Sequence, residues 1–564
     1  MTFIFFFISF IILISTIGFG LIFTGIFKFQ KFNYNYGLVG LLGLFSLSTI
    51  SSYTHLFFAH SYIHNIIILL LGIIGFLFYG RNKIKDIRNI FYLFSLLFIC
   101  LLMSKTNEDF GYYHLPNALQ FAQQKLQFGL GNLNHGFKHI SSIFMLMSIN
   151  YLPFFEYKLF NLTNFLFLIF FIYFLLQEIY LKNNLNLNIS TICLSIFLIL
   201  FLSKFSRLAE YGSDISGQIV ILVSFFYILE FTFNEKTHKQ KLNYLKLSLI
   251  LIVFAITLKF ISIIYSLFFL IFFLTKSKKK IFLSLVKSYY ILVIALPLTI
   301  FLILNFSSTG CIIYPVEKLC FPNLFDWALN PEIIKHLNLH YELWAKGGLG
   351  PNYSVENKEE YSKFINWVPN WFSVYFIGKF SDYLLVIIFI IIIFSLFYFK
   401  EIFLIKKKKL NYKTEYLILN LVLITIFLIW FFNFPSLRYA GYVVVLLILI
   451  FPFSTYLNKK INFSKKENLK KLTLIFLISY SIFLYKNTIR INEELKISNE
   501  ENHNFKNFPF FWVNIKKFEN IEINGHQLSL TKGKCWTVPS TCVRNSNNLK
   551  ISKKNNYIFY SKNK

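Results

Sequence analysis

Long apolar runs alternate with short polar ones along the whole chain, and that alternation predicts a stack of membrane-spanning helices. A helix needs ~20 predominantly apolar residues to cross a hydrocarbon core of about 30 Å. Runs at or near that length fall at 3–27, 36–52, 65–80, 90–104, 157–181, 189–203, 215–233, 288–306, 383–404, 414–432, 437–457 and 471–486. The apolar stretch 247–274 is flanked by lysines at both ends. A single span there would put those lysines on opposite sides, so the reading preferred is two shorter helices, 247–258 and 260–274, meeting at Lys259. Non-helical backbone at membrane depth is tolerated where it is buried or lines a cavity. Residues 139–155, interrupted by Asn150 and Pro153, read as short helices lying along the outer surface. The fold class expected is an all-α polytopic bundle of about 12–14 transmembrane helices.

Basic clusters set the sides, because cytoplasmic connections are enriched in Lys and Arg. The clusters are Arg81/Lys83/Lys85/Arg88, Lys236/Lys239/Lys241, Lys276/Lys278/Lys279/Lys280, Lys406 to Lys409 and Lys459/Lys460/Lys465/Lys466. With these inside, four polar segments fall together on the outer face: 105–156, 204–214, 307–381 and the tail from 487 to 564. The domain division expected is N-terminal helices over 1–89, a core over 90–486 and an outer tail over 487–564.

Composition agrees: 56% of the residues are hydrophobic and 15% charged, with a mean hydropathy of +0.57. The formal charge of +30 would suit nucleic acid, but the lysines sit in short runs between apolar segments rather than in a basic module, so nucleic-acid binding is not expected. The first apolar run lacks a basic start and a small-residue cleavage site and reads as a retained helix. No P-loop, GxGxxG or HExxH is present, which disfavours a cytosolic nucleotide-driven mechanism.

Six cysteines divide by position. Cys100 and Cys193 lie in apolar runs and read as packed small side chains. Cys311/Cys320 and Cys535/Cys542 are close pairs in segments assigned to the outer face, where disulfides are expected rather than a CxxC metal or redox site.

Charged residues at helix mouths are the candidate chemistry. Glu108 and Asp109 follow an apolar run directly and precede Phe110-Gly111-Tyr112-Tyr113-His114. Ordinary solvated loop acids are one reading. The other is a general base towards an acceptor hydroxyl, or a ligand for a divalent cation, with Asp109 or Glu108 acting and Tyr112, Tyr113 and His114 as sugar or acceptor contacts. Arg207, Glu210 and Asp214 stand before the next span, either as an interface anchor or as a second acid with an anion-binding arginine; Asp214 also suits an N-cap. Lys259 is isolated in apolar sequence, and Arg438 is isolated at a helix start; each suits a lipid phosphate or an interfacial anchor. The long outer loop carries Asp326, Trp327, Trp344, Trp367 and Trp371, of which the tryptophans read as membrane-belt residues or sugar-stacking platforms.

In this order and layout the chain resembles the GT-C superfamily of membrane glycosyltransferases, which includes the protein mannosyltransferases and the aminoarabinose transferases. The match runs over about 90–460, with Glu108-Asp109 at the acidic motif of the first outer loop, Glu210 or Asp214 at the second acid, and Lys259 at a lysine that contacts lipid phosphate. Three helices precede the one that leads into the acidic loop where the family commonly has one, and the pair is Glu-Asp where Asp-Glu or a lone Asp is usual. The phrases 107–114, Trp430-Phe431-Phe432 with Arg438, and Cys535 to Cys542 also look similar to an uncharacterised bacterial family of such proteins. The resemblance implies a GT-C-like bundle in the bacterial inner membrane with its active site on the periplasmic side. It implies transfer of a sugar from a polyprenyl-phosphate donor to a glycan, lipid or protein acceptor, with Mg or Mn as an optional cofactor. A lipid-linked oligosaccharide polymerase or ligase, and a non-enzymatic transporter or flippase, remain as alternatives.

Overall fold

The computed structural model describes residues 1–27, 35–80, 84–182, 189–233, 237–273, 276–350, 353–399, 413–460, 465–497 and 508–562. Of the basic clusters that set the sides, Arg81, Lys83, Lys236 and Lys406 to Lys409 lie outside these residues. Helix accounts for 72% of the structure, and among the described residues eleven helices are long and apolar enough to cross a membrane. They are the multi-pass architecture that the hydropathy pattern predicts. Two shorter apolar helices, Ile189–Ser203 and Phe260–Phe273, fill further predicted runs.

Some elements differ from the prediction. The run at 90–104 forms a helix over Ile84–Leu97 and a single tight turn over Phe98–Cys100, too short to join the eleven. The run at 383–404 belongs to a helical stretch that already starts at Val368, so the preceding loop is shorter than expected. Residues 142–148, expected on the outer surface, form a helix with every side chain buried. Phe144, Met145 and Met147 are too apolar to leave in water and are packed inside the protein instead.

The N-terminal helices Thr2–Ile26, Tyr36–His55 and Tyr62–Gly80 pack through small residues. A Cβ built on Gly18 would lie 1.8 Å from the Gly72 carbonyl oxygen, and one on Gly43 2.0 Å from that of Thr16. Such close backbone approach is how helices associate where lipid removes the hydrophobic drive between them.

The lysine-flanked stretch breaks at Lys259. The helix His238–Leu258 ends there, Lys259 is extended (φ −154°, ψ 111°), and a 3₁₀ helix runs over Phe260–Phe273. The first arm is a helix of 21 residues, longer than the half-helix expected, because the polar start at His238 is carried by a Thr237/Gln240 capping box.

The C-terminal tail is not all-α. Strands Glu519–Ile523 and His526–Leu530 pair antiparallel, with Cys542–Val543 added parallel to the second; Leu549–Lys554 and Tyr557–Lys562 form another hairpin. Both hairpins turn on two residues of positive φ, Asn524-Gly525 (51°, 75°) and Asn555-Asn556 (47°, 66°). Those residue types adopt that backbone at least cost, and it matches the strand twist. The disulfides Cys311–Cys320 and Cys535–Cys542 are both formed, and Cys100 and Cys193 are free and buried.

Candidate functional site

Four separated stretches meet through charged side chains where helices begin or end. Asp109 opens a turn of π-helix over Phe110–His114, whose first N–H is taken by the Asn107 side chain at 2.9 Å. Asp214 is in the first turn of the Ser213–Phe233 helix, Lys259 caps the end of His238–Leu258, and Arg438 lies in the irregular turn Leu437–Gly441 ahead of the next helix.

Arg438 joins the acids. Its Nη2 donates to Asp109 Oδ2 at 2.6 Å and its Nε to Asp214 Oδ2 at 2.9 Å. Lys259 Nζ pairs with the other Asp214 oxygen. Tyr439 receives both cations on its ring, Lys259 Nζ at 4.8 Å and the Arg438 guanidinium carbon at 5.9 Å from the centroid. The Tyr113 hydroxyl lies 3.4 Å from Arg438 Nη2. The Asp214 side chain is 12% exposed, against 32% for Asp109 and for Arg438, so Asp214 forms the floor and the other two face the opening.

The turn carrying Arg438 is held from three sides. Trp371 Nε1 donates to the Pro435 carbonyl at 2.8 Å, Trp430 Nε1 to that of Ser436 at 3.1 Å, and the Tyr375 hydroxyl accepts from Leu437 N–H at 2.7 Å. Gln218, one turn along from Asp214, accepts from Val443 N–H at 3.0 Å. Trp367 is fully buried and donates to the Phe364 carbonyl at 2.8 Å. Trp367 and Trp371 are therefore packing residues here, whereas Trp344 is 39% exposed.

His114 is buried beside this cluster, and burial lowers its pKa to about 4. Its ring lies against Gly212, which adopts φ +55°; a Cβ there would be 2.2 Å from His114 Cε1. A neutral polar-aromatic wall continues from Tyr113. The Tyr341 hydroxyl sits 3.1 Å from Nε2 of both His135 and His139, and 3.0 Å from the Tyr314 hydroxyl. Burial lowers both histidines to about 3, so they are uncharged at neutral pH. The sequence reading missed Tyr439, Tyr341, His135 and His139; the placement of Tyr439 directly after an isolated arginine was a usable signal.

The remaining candidates lie elsewhere. Glu108 points away from Asp109, with a side chain 87% exposed and paired with Lys534. Tyr112 carries the Arg544 guanidinium 5.5 Å above its ring. Arg207 and Glu210 form a second network. Glu210 pairs with Arg207 Nη2 at 2.7 Å, lies 3.5 Å from Nε of Arg490 and accepts from Lys105 N–H at 2.9 Å. Arg490, 1% exposed, also donates to the carbonyls of Met103 at 2.5 Å and Ile99 at 3.0 Å.

Among the described residues no three of His, Cys, Asp and Glu gather as metal ligands. Asp109 and Asp214 share one guanidinium, and Asp214 also holds an ammonium. Two carboxylates already balanced by two cations are a poor donor set for a divalent ion, which would have to displace Arg438 to reach both.

The architecture and these polar clusters define a multi-pass membrane protein with a charged site at one end of its helices. The chain belongs to the family described as a domain of unknown function, DUF8201, which matches residues 1–446. All four residues of the cluster fall inside that match. Comparison with curated proteins gives no match, and comparison with solved structures gives none.

Proposed function

We propose that this protein is a membrane glycosyltransferase of GT-C type, moving a sugar from a polyprenyl-phosphate donor to a hydroxyl acceptor on the periplasmic face of a bacterial inner membrane. The observation that carries this reading is the bridge of Arg438 between Asp109 and Asp214, with Lys259 on Asp214, at the convergent ends of helices. Charge of both signs at such a place is costly, and membrane proteins retain it for substrates.

In this reading the donor phosphate takes the Lys259 ammonium and the outer face of Arg438. The acceptor oxygen attacks the anomeric carbon, the bond from that carbon to the phosphate oxygen breaks, and the bonding pair leaves with the lipid phosphate. Lys259 and Arg438 receive that charge where it develops. As Arg438 turns to the phosphate, Asp109 is freed to take the proton of the acceptor hydroxyl. Asp214 is the fixed counter-charge that holds both cations. With its carboxylates already balanced, the transfer is written without a divalent cation.

The test incubates purified protein in lipid with polyprenyl-phosphate sugars and follows release of lipid phosphate. Release that depends on acceptor is expected, and Asp109→Asn should abolish it while expression and thermal midpoint hold. Unchanged transfer by Asp109→Asn would remove Asp109 as base. Movement of intact donor between leaflets with no release would favour a flippase.

A further inference from the structure

The Cys535–Cys542 loop is packed against the acidic turn from the far end of the chain. Trp536 is 6% exposed and its indole covers Gly111: a Cβ built on Gly111 would lie 2.1 Å from Trp536 Cε2 and 2.2 Å from Cδ2. Trp536 N–H donates to the Gly111 carbonyl at 3.0 Å. The loop is itself tethered, since Cys535 is bridged to Cys542 and its sulfur accepts from Asn134 Nδ2 at 2.8 Å. On the other side of the acid, Lys534 pairs with Glu108, and the Thr106 hydroxyl donates to the Trp512 carbonyl at 3.0 Å. These contacts bracket Asp109, touching the backbone or side chains before and after it.

We propose that Trp536 is a positioning residue for Asp109. The indole fills the space that any side chain at 111 would take, and the Trp536 backbone N–H fixes the Gly111 carbonyl, so together they set the height and rotation of the Phe110–His114 turn. That turn aims the Asp109 carboxylate at Arg438 and at the acceptor. The inference rests on the proposed role of Asp109 as base. The cations assigned to the donor phosphate, Lys259 and Arg438, sit on other elements, so a loosened turn disturbs acceptor activation and leaves donor binding in place.

The experiment uses the full chain in lipid with the variants Trp536→Ala, Trp536→Phe, Gly111→Ala and Gly111→Ala/Trp536→Ala. Amide exchange over 107–117 is measured without substrate, and lipid-phosphate release is measured against donor concentration. Trp536→Ala should raise exchange in that segment and lower kcat by roughly tenfold or more, the scale at which a small misplacement of a reacting group acts. Donor KM should stay within about twofold, the mark of an interaction outside uniform donor binding. Trp536→Phe, which keeps a ring over Gly111, should restore most of kcat. Gly111→Ala should resemble Trp536→Ala, and the double variant should be no worse than either single one, because both act on one contact. Wild-type exchange and turnover in Trp536→Ala would overturn the proposal. So would a kcat loss matched by the same change in donor KM and not recovered by Phe. A wild-type protein that releases no lipid phosphate would sink the transferase reading, and the exchange data alone would then decide whether Trp536 holds the turn.

Discussion

His114 is five residues after Asp109, its ring against Gly212, and burial that lowers its pKa to about 4 leaves it uncharged at neutral pH. The sign of its pH effect follows. An exposed histidine titrates near 6.5, so as pH falls below that value the opened chain takes up a proton that the folded one refuses. The contribution is fully present above about pH 6.5 and is lost progressively down to about pH 4, at about 1.4 kcal/mol per pH unit for this group. His135 and His139, held at about 3, add to the same trend. Thermal melts in detergent should show a midpoint steady above about pH 7 that drops between about 6.5 and 4. His114→Gln should flatten part of that slope, and a midpoint indifferent to acid would remove buried neutral His114 from the account. Isolated charges were the legible residues: Lys259 and Arg438 each stand where apolar sequence gives no reason for a charge, whereas Asp214 was not separable from Glu210 four residues before it. Which of Glu108 and Asp109 faces inward was not legible. Neighbouring residues on a helical turn point about 100° apart, and the choice depends on Lys534, far along the chain.

Two charged networks that look alike in sequence separate at the level of elements. Asp109, Lys259 and Arg438 keep partial access to solvent above a buried Asp214. Glu210 and Arg490 do not: their side chains are 9% and 1% exposed, and they tie the Lys465–Ile497 helix to the end of the Ile84–Leu97 arm. Removing one partner of a buried pair strands the other and typically costs about 3–5 kcal/mol. Glu210→Ala should therefore lower the thermal midpoint sharply, whereas Asp109→Asn should leave it nearly unchanged and strike turnover. A stable but inactive Glu210→Ala protein would move Glu210 into the substrate site instead. Arg490 escaped the sequence reading because the apolar run ends near 486, while the helix continues to Ile497. Hydropathy marks where a span is apolar, not where its backbone stops. The hairpins of the tail escaped it although Asn524-Gly525 is a strong turn signal, since the strands around it are only five residues long and half polar.

At the scale of the whole molecule, the outer segments are tied to one another irrespective of which face they occupy. The Ser308 hydroxyl donates to the Phe137 carbonyl at 2.6 Å, Phe128 N–H to the Ile558 carbonyl at 2.9 Å, and Tyr341 reaches His135 and His139. The loops holding Asp109, the Cys311–Cys320 bridge and the Cys535–Cys542 bridge therefore share one compartment. Structural disulfides persist on an oxidising side, and the lysine-rich connections favour the opposite one. In the proposed orientation both arguments put the charged site outside, and one labelling experiment tests them together. Lys532→Cys, exposed next to the second bridge, should react with a membrane-impermeant maleimide in intact spheroplasts. Lys239→Cys, exposed just inside the His238–Leu258 helix, should react only after permeabilisation. In the same membranes Cys311, Cys320, Cys535 and Cys542 should alkylate only after reduction. The reverse labelling pattern would place Asp109, Arg438 and both bridges in the cytoplasm. The periplasmic donor would then be out of reach, and the transferase reading would fail on topology before any sugar was tried.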